Sequence, residues 1–227
     1  PYTIGGAMNM ISTPIPSVRS GSLKAEAGED RTYRIHATYG GTSSNGFGFM
    51  VETHQWKSDG FQSIDRSNED TGLDVKDYTV KLGYKRDRHT MELKLQYAEQ
   101  QSNQSYLGLT DDDFSDNALS RYGLSALDNI KTEHDQQIIR YRFDVNGSVS
   151  ISATAYNNEH QRDWFKTEGL DFDGSASAES FSRTSWAKVV TAINENSNLG
   201  EYSTEDLQAI LDGADTAAGS IQLRSNS

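Results

Sequence analysis

The sequence predicts an all-β chain, an antiparallel transmembrane β-barrel fragment with short helices in its longest outer loop. Three observations carry that prediction. Apolar and polar side chains alternate through segments of about 9 to 14 residues, whereas strands of soluble proteins more often run about 5 or 6 and a tilted membrane strand needs about 9 to 11. Tight turns and long polar loops alternate between these segments, as they do where one rim of a barrel is trimmed and the other is elaborated. Aromatic residues gather at the strand ends, as amphipathic rings do at headgroup level.

The composition fits a wet-and-oily sheet. The 227 residues are only 34% hydrophobic, with a mean hydropathy of -0.71. Half of each strand would line water, and the loops are polar. No run nears the roughly 18 apolar residues of a membrane helix, and no leader-like basic and apolar stretch opens the chain. It begins at Pro1 without Met, so a mature or truncated product is expected. The net charge of -12 argues against nucleic-acid binding, which needs a basic stripe. The absence of cysteine removes disulfides, thiolate metal sites and thiol nucleophiles together. All three prolines, Pro1, Pro14 and Pro16, precede residue 17, which leaves the rest free for uninterrupted ladders.

Taken in order, the first strand spans about 18–26 and turns at Gly28-Glu29-Asp30. The second, about 32–39, aligns Tyr33, Ile35, Ala37 and Tyr39. After the turn-rich GGTSSNG, the third, about 46–56, aligns Phe47, Phe49 and Val51. Residues 77–100 form a hairpin: Tyr78, Val80, Leu82 and Tyr84 share a face, the KRDRH cluster turns the chain, and Met91, Leu93, Leu95 and Tyr97 repeat the pattern. Ile139, Tyr141, Phe143 and Val145 mark the sixth strand, and Asn146-Gly147 signals the turn into a seventh over about 149–162. An eighth is expected to begin within 219–227, where Ile221 and Leu223 alternate. An open edge in lipid leaves backbone groups unsatisfied, so the chain reads as a piece of a larger barrel.

Short turns place Tyr39, Phe47, Tyr84 and Phe143 at one rim, while Trp56 and Trp164 belong to the long-loop rim, giving two membrane girdles. Within the longest loop, 167–218, Trp186, Val189, Val190 and Ile193 recur at helical spacing. Leu207, Ile210 and Leu211 do the same behind Ser203 or Thr204 as N-cap, with Gly213 as the C-cap candidate. Such a helical pair either covers a ligand as a lid or packs against itself. Two rival readings stand. One is a soluble secreted β-sheet adhesin or carbohydrate-binding module whose apolar faces meet in a dry core. The other is a small eight-stranded membrane barrel.

The short apolar stretch IGGAMNMISTPIP (4–16) differs from the rest. It reads as a strand of a separate buried unit joined by a stiff Pro-x-Pro link. It resembles the end of the plug domain of TonB-dependent outer-membrane receptors, with Gly5, Gly6, Met8, Asn9, Met10 and Ile11 in the places of that plug-end motif. The loop YLGLTDDDFSDNALSRYGLSALDN (106–129) and RDWFK (162–166) resemble the ferric-dicitrate-type siderophore receptors. The resemblance implies a division into 1–16, the end of a plug and its linker, and 17–227, the N-terminal part of a plugged barrel of about 22 strands. It implies a cell outer membrane location in a Gram-negative bacterium, contact with lipid and lipopolysaccharide, and a ferric siderophore as ligand. It also implies a TonB inner-membrane energy-coupling complex as partner. The family's coupling segment (the TonB box) and most of its plug are absent from this sequence.

Ferric siderophores such as ferric citrate are usually anionic, and guanidinium pairs well with carboxylate. The ligand-binding candidates are therefore Arg121 and Tyr122 in the loop, Arg140 and Arg142 on the inward side of the sixth strand, and Arg162 and Lys166 at the outer end of the seventh. Their competing roles are pairing with carboxylates of the plug or wall for Arg140 and Arg142, lipopolysaccharide contact for Arg162 and Lys166, and loop packing for Tyr122. Asp111, Asp112, Asp113 and Asp116 lack the spaced pattern of a calcium loop. The five histidines show no metal-ligand spacing, and nothing marks a nucleophile elbow. No enzymatic activity, catalytic residue or protein-bound cofactor is expected; iron would arrive inside its chelate.

Overall fold

The computed structural model describes residues 11–171, 184–200, 202–212 and 222–225. The strands in chain order are β1 (Ser20–Ala27), β2 (Tyr33–Thr42), β3 (Phe47–Ser58), β4 (Ser63–Ile64), β5 (Leu73–Arg86) and β6 (His89–Ser102). They continue with β7 (Ser120–Arg121), β8 (Asn129–Asn146), β9 (Val149–Phe165), β10 (Thr167–Asp171), β11 (Thr184–Ser185) and β12 (Gln222–Ser225). Three helices, α1 (Asp111–Asp116), α2 (Trp186–Asn194) and α3 (Thr204–Leu211), lie in the loops.

Seven strands form one antiparallel meander in the order β1-β2-β3-β5-β6-β8-β9. Its lower links are the three tight turns expected from sequence. In the first of them Gly46 adopts φ +88 with its N–H bonded to the Ser43 carbonyl (3.0 Å), and a Cβ there would lie 2.0 Å from the Lys85 carbonyl oxygen. The upper link between β1 and β2 is short because Asp30 and Arg31 both take left-handed φ, the geometry of a tight hairpin turn. The other upper links are long.

The register assigns every side chain to a face. Leu23, Ile35, Tyr39, Val51, Val80, Leu82, Leu95, Ile139, Tyr141 and Ile151 share one face and are exposed there. No second layer covers these apolar rows, so among the described residues the dry interior of a soluble sandwich is absent. This apolar band runs obliquely to the hydrogen bonds. Ala37, midway along the apolar run of β2, is level with Asp135 of β8, yet the run on β8 is centred on Tyr141, six residues further. That is about 20 Å along the strand for about 19 Å across four strand spacings, so the band crosses the ladder at roughly 45°. A tilt of that size belongs to barrel walls.

Beyond the band, β8 and β9 continue to lengths of 18 and 17 residues with polar side chains on both faces. The strand alternation legible at Ile139–Val145 therefore covers only the lower part of β8. Its upper part, NIKTEHDQQ, is held by its ladders with β6 and β9 rather than by apolar burial. The segment expected to open an eighth strand is described at Gln222–Ser225, where β12 pairs antiparallel with β10 in a separate three-stranded sheet, β11-β10-β12, and not with the meander.

Residues 11–16 lie as a strap across the polar face. Lys81 Nζ donates to the Thr13 carbonyl (2.7 Å), Thr13 Oγ1 donates to Glu52 (2.9 Å), and Thr42 Oγ1 donates to the Pro16 carbonyl (2.7 Å). Gly48 and Gly83 are level on β3 and β5, and a Cβ on either would come within 2.8 Å of Ile15. Their missing side chains make the groove in which Ile15 sits.

The upper loops are knitted together. β4 pairs in parallel with β7, tying loop 59–72 to loop 103–128. Helices α2 and α3 then pack on loop 103–128. Trp186, Val189, Ala192, Leu207, Ile210 and Leu211 enclose Leu107 and Tyr122 in a dry core. The helical pair expected from its spacing thus packs not merely against itself but against a second loop, forming one cap.

Candidate functional site

The polar face and the cap meet at the upper rim, and two groups of the expected residues occupy it differently. Arg162 and Trp164 alternate with the apolar row of β9, so both lie on the polar face, with Lys166 just beyond the end of the strand. Tyr106 enters from loop 103–128 and stacks on Trp164 with centroids 5.1 Å apart. Lys166 Nζ lies 4.7 Å from the Trp164 ring centre and 5.2 Å from that of Tyr106, and the Arg162 guanidinium lies 5.3 Å from Trp164. Cations over indole and phenol faces are held electrostatically. The Trp164 Nε1–H is enclosed and has no hydrogen-bond partner among the described residues. Two cations and two aromatic rings thus form a wall that favours an anion with flat or apolar edges. The sequence offered Arg162 and Lys166 as ligand contacts, but Trp164 only as a girdle residue and Tyr106 only within the loop motif 106–129.

Arg121 and Tyr122 occupy a different environment. They are 5% and 3% exposed, inside the cap. Arg121 donates to the Asn103 carbonyl (2.6 Å) and to Ser125 Oγ (3.2 Å), which fastens the base of the loop. Burial pulls its pKa below the ordinary value, partly offset by Asp128. The Tyr122 hydroxyl donates to Asp113, which also accepts from Gln208 Nε2 of α3 (3.0 Å) and Thr110 Oγ1 (2.9 Å). Burial, then the adjoining carboxylate, pushes the Tyr122 phenol up to about 12. For Asp113 the cost of burial is outweighed by hydrogen bonds from Tyr122, Gln208 and Thr110, so its pKa is lowered. The acidic run is therefore neither a calcium loop nor wholly solvated: Asp113 is the latch between two loops.

Arg140 and Arg142 lie on the polar face, as expected. Arg140 pairs with Glu92 (3.1 Å) across β6 and β8, and Arg142 with Asp144 (2.8 Å), the wall-pairing role weighed against ligand binding. Tyr39, Phe47, Tyr84 and Phe143 lie on the apolar face toward the short turns. Trp56 and Trp164 correct the expectation of an upper girdle. Trp56 is level with Arg34, whose guanidinium stacks on it at 5.6 Å, and both tryptophans sit on the polar face. Among the described residues, the aromatic side chains on the apolar face toward the long-loop rim are Tyr33, Tyr78, Tyr97 and Phe165. Two-residue periodicity counted from Phe47 and Tyr141 contained that answer; rim position alone did not. Gly5, Gly6 and Asn9 lie outside the described residues.

Register also gathers residues that no local spacing could. His36, His54, Asp77, His134 and His160 fall in one row of the polar face. His36 bonds Glu52 and His54 accepts from Arg34 Nε, each at 2.8 Å. Among the described residues no group of three histidine or acidic side chains is arranged to hold a metal.

Comparison with known proteins places this sheet. The ferric citrate transporter FecA in its unliganded form superposes with a TM-score of 0.59 at 18% identity, over 74% of this chain and 25% of the transporter. The siderophore receptor PiuA from Acinetobacter baumannii gives 0.56 at 16% identity, over 69% of this chain and 23% of the receptor. The chain thus spans about a quarter of the length of the solved proteins it matches. No family model and no curated protein matches it. The fold is that of an antiparallel β-barrel fragment, as in these two solved proteins.

Proposed function

We propose that this chain is part of an outer-membrane receptor for an anionic ferric siderophore, a ferric-citrate-like chelate, comprising the plug end (1–16) and the first barrel strands (17–227). The observation that carries the reading is the oblique apolar band. A barrel whose strands tilt at roughly 45° and whose outer face is bathed in acyl chains needs an exposed band level with the membrane, and the exposed residues of the seven-stranded meander supply one. The polar face then lines the lumen, the strap connects to the plug, and the cap stands outside the cell. The barrel likeness to a ferric citrate transporter and a siderophore receptor supports the same reading. No covalent chemistry is required of such a protein. Uptake would draw on a TonB-type inner-membrane complex acting through parts of the receptor beyond this chain.

At the mouth, Arg162 and Lys166 supply the charge and Tyr106 and Trp164 the walls. Binding of radioiron-labelled ferric citrate to cells carrying the whole receptor tests this. Removing both cations (Arg162→Ala with Lys166→Ala) should weaken binding by about 100-fold or more, since each hydrogen bond to a charged group contributes about 1.5–3 kcal/mol. Unchanged binding in the double variant would remove the mouth from the proposal.

A further inference from the structure

We infer that the inner wall carries a second anion-binding station, below the mouth, formed by Lys81, Lys94 and Arg140. The inference rests on the receptor reading for its purpose, though not for its geometry. Lys81 and Lys94 are direct partners across the β5–β6 ladder on the polar face. Like charges set opposite each other in a sheet repel. Both are enclosed, at 3% and 8% exposure. Among the described residues their ammonium groups are held only by neutral acceptors. Lys94 Nζ donates to Gln96 Oε1 (2.6 Å) and Gln136 Oε1 (2.8 Å), and Lys81 Nζ to the carbonyls of Ser12 (3.4 Å) and Thr13 (2.7 Å). Among the described residues neither has a carboxylate at ion-pair distance, and Glu92 is engaged by Arg140. The ten residues preceding the described chain contain no Asp or Glu that could supply one.

A buried like-charge pair without a counter-ion is costly unless an anion visits it. The space for one is present: a cavity of about 680 Å³ between strap and sheet is lined by Lys81, Lys94, Arg140, Gln96, Gln136 and Pro14. Three cations and one carboxylate border it, in a chain whose net charge is -12. Lys94 lies six residues along the strand direction from the level of Arg162, or about 20 Å. An anion leaving the mouth and moving down the wall past the histidine row meets this station next. The proposed occupant is a mobile, carboxylate-bearing solute; a carboxylate from receptor segments beyond this chain is the rival occupant, and the crystal test separates the two.

The test uses the whole receptor and two probes. Crystals soaked in sodium bromide should show anomalous density beside Lys94 Nζ in the wild type and none in Lys94→Gln. A protein carboxylate at that position, no bromide, or the same peak in both proteins (an adventitious ion only) would overturn the station. With radioiron-labelled ferric citrate, Lys94→Gln should keep binding to de-energised cells while slowing uptake by energised cells about tenfold, the scale of one charged hydrogen bond. Lys94→Arg should restore uptake. Unchanged uptake in Lys94→Gln, or equal loss in Lys94→Arg, would also overturn it. Should wild-type cells bind no ferric citrate, the mouth assignment fails separately, and the bromide result still decides the station.

Discussion

In the cap, Leu207, Leu211 and Val189 are fully enclosed by protein, whereas in the sheet Val80, Leu82 and Leu95, of the same chemistry, lie open along one face. The difference is one of solvent. The cap faces water and must build its own dry core, joining α2 and α3 to loop 103–128 because neither loop alone has enough apolar surface. On the receptor reading proposed above, the sheet needs no such partner, because acyl chains take the place of a second layer. Two measures that look contradictory, low overall hydropathy and many exposed apolar side chains, follow from that division.

Substitutions should separate the two regions cleanly. Leu207→Ala leaves a hole in the cap core and should cost about 2–5 kcal/mol of local stability. Protease sensitivity of the loops on intact cells should rise sharply while the barrel keeps its resistance to detergent unfolding. Val80→Arg is the reverse experiment. An arginine on the lipid face near the midplane costs about 2–4 kcal/mol, so membrane assembly should fall while any cap that forms stays protease-resistant. In a soluble sheet the same exposed position would accept arginine almost without effect.

A subtler distinction lies in the latch. Asp113→Asn replaces a carboxylate that accepts from Tyr122, Gln208 and Thr110, and should loosen the cap by about 1–3 kcal/mol. The latch also sets a pH window. The pKa of Asp113 is lowered in the folded cap, so its contribution is present above the ordinary carboxylate value of 3.8 and is lost as pH falls further. That of Tyr122 is raised from 10.0 to about 12, so its contribution is full below 10 and is lost as pH climbs toward 12. Trp186 fluorescence should therefore report cap opening at both extremes, with the acid limb missing in Asp113→Asn. The smallest effect is expected at Ser203, whose side chain accepts from the Asp206 N–H in a capping box; Ser203→Ala should cost about 1 kcal/mol in α3.

The hairpin at 77–100 was legible in the sequence because its information is local: alternation fixes the faces and the charged turn fixes the register. The helices α2 and α3 were legible for the same reason, down to the cap at Ser203. What the sequence concealed depends on pairing between distant strands. Trp56 and Trp164 looked like girdle residues because rim position was visible while parity went uncounted. The opposition of Lys81 to Lys94 and the row of four histidines exist only once β2 to β9 are aligned. Arg121 and Tyr122 looked like ligand contacts because an exposed loop was expected; Arg121 is buried within its own loop against Asn103 and Ser125, and the dry core that encloses Tyr122 draws on residues some 64 to 89 positions away.

The central claim is that the apolar rows face lipid and the alternate rows face water. This sequence contains no cysteine, so single cysteines can be introduced into it, any cysteine elsewhere in the whole receptor being replaced first, and spin-labelled after reconstitution into bilayers. Labels at Val80, Leu82, Leu95 and Ile139 should collide with dissolved oxygen and escape a water-soluble nickel reagent, while labels at Thr79 and Gln96 should escape oxygen. If the two sets behave alike, or if Val80 and Leu82 prove shielded from both reagents inside protein, the account is wrong.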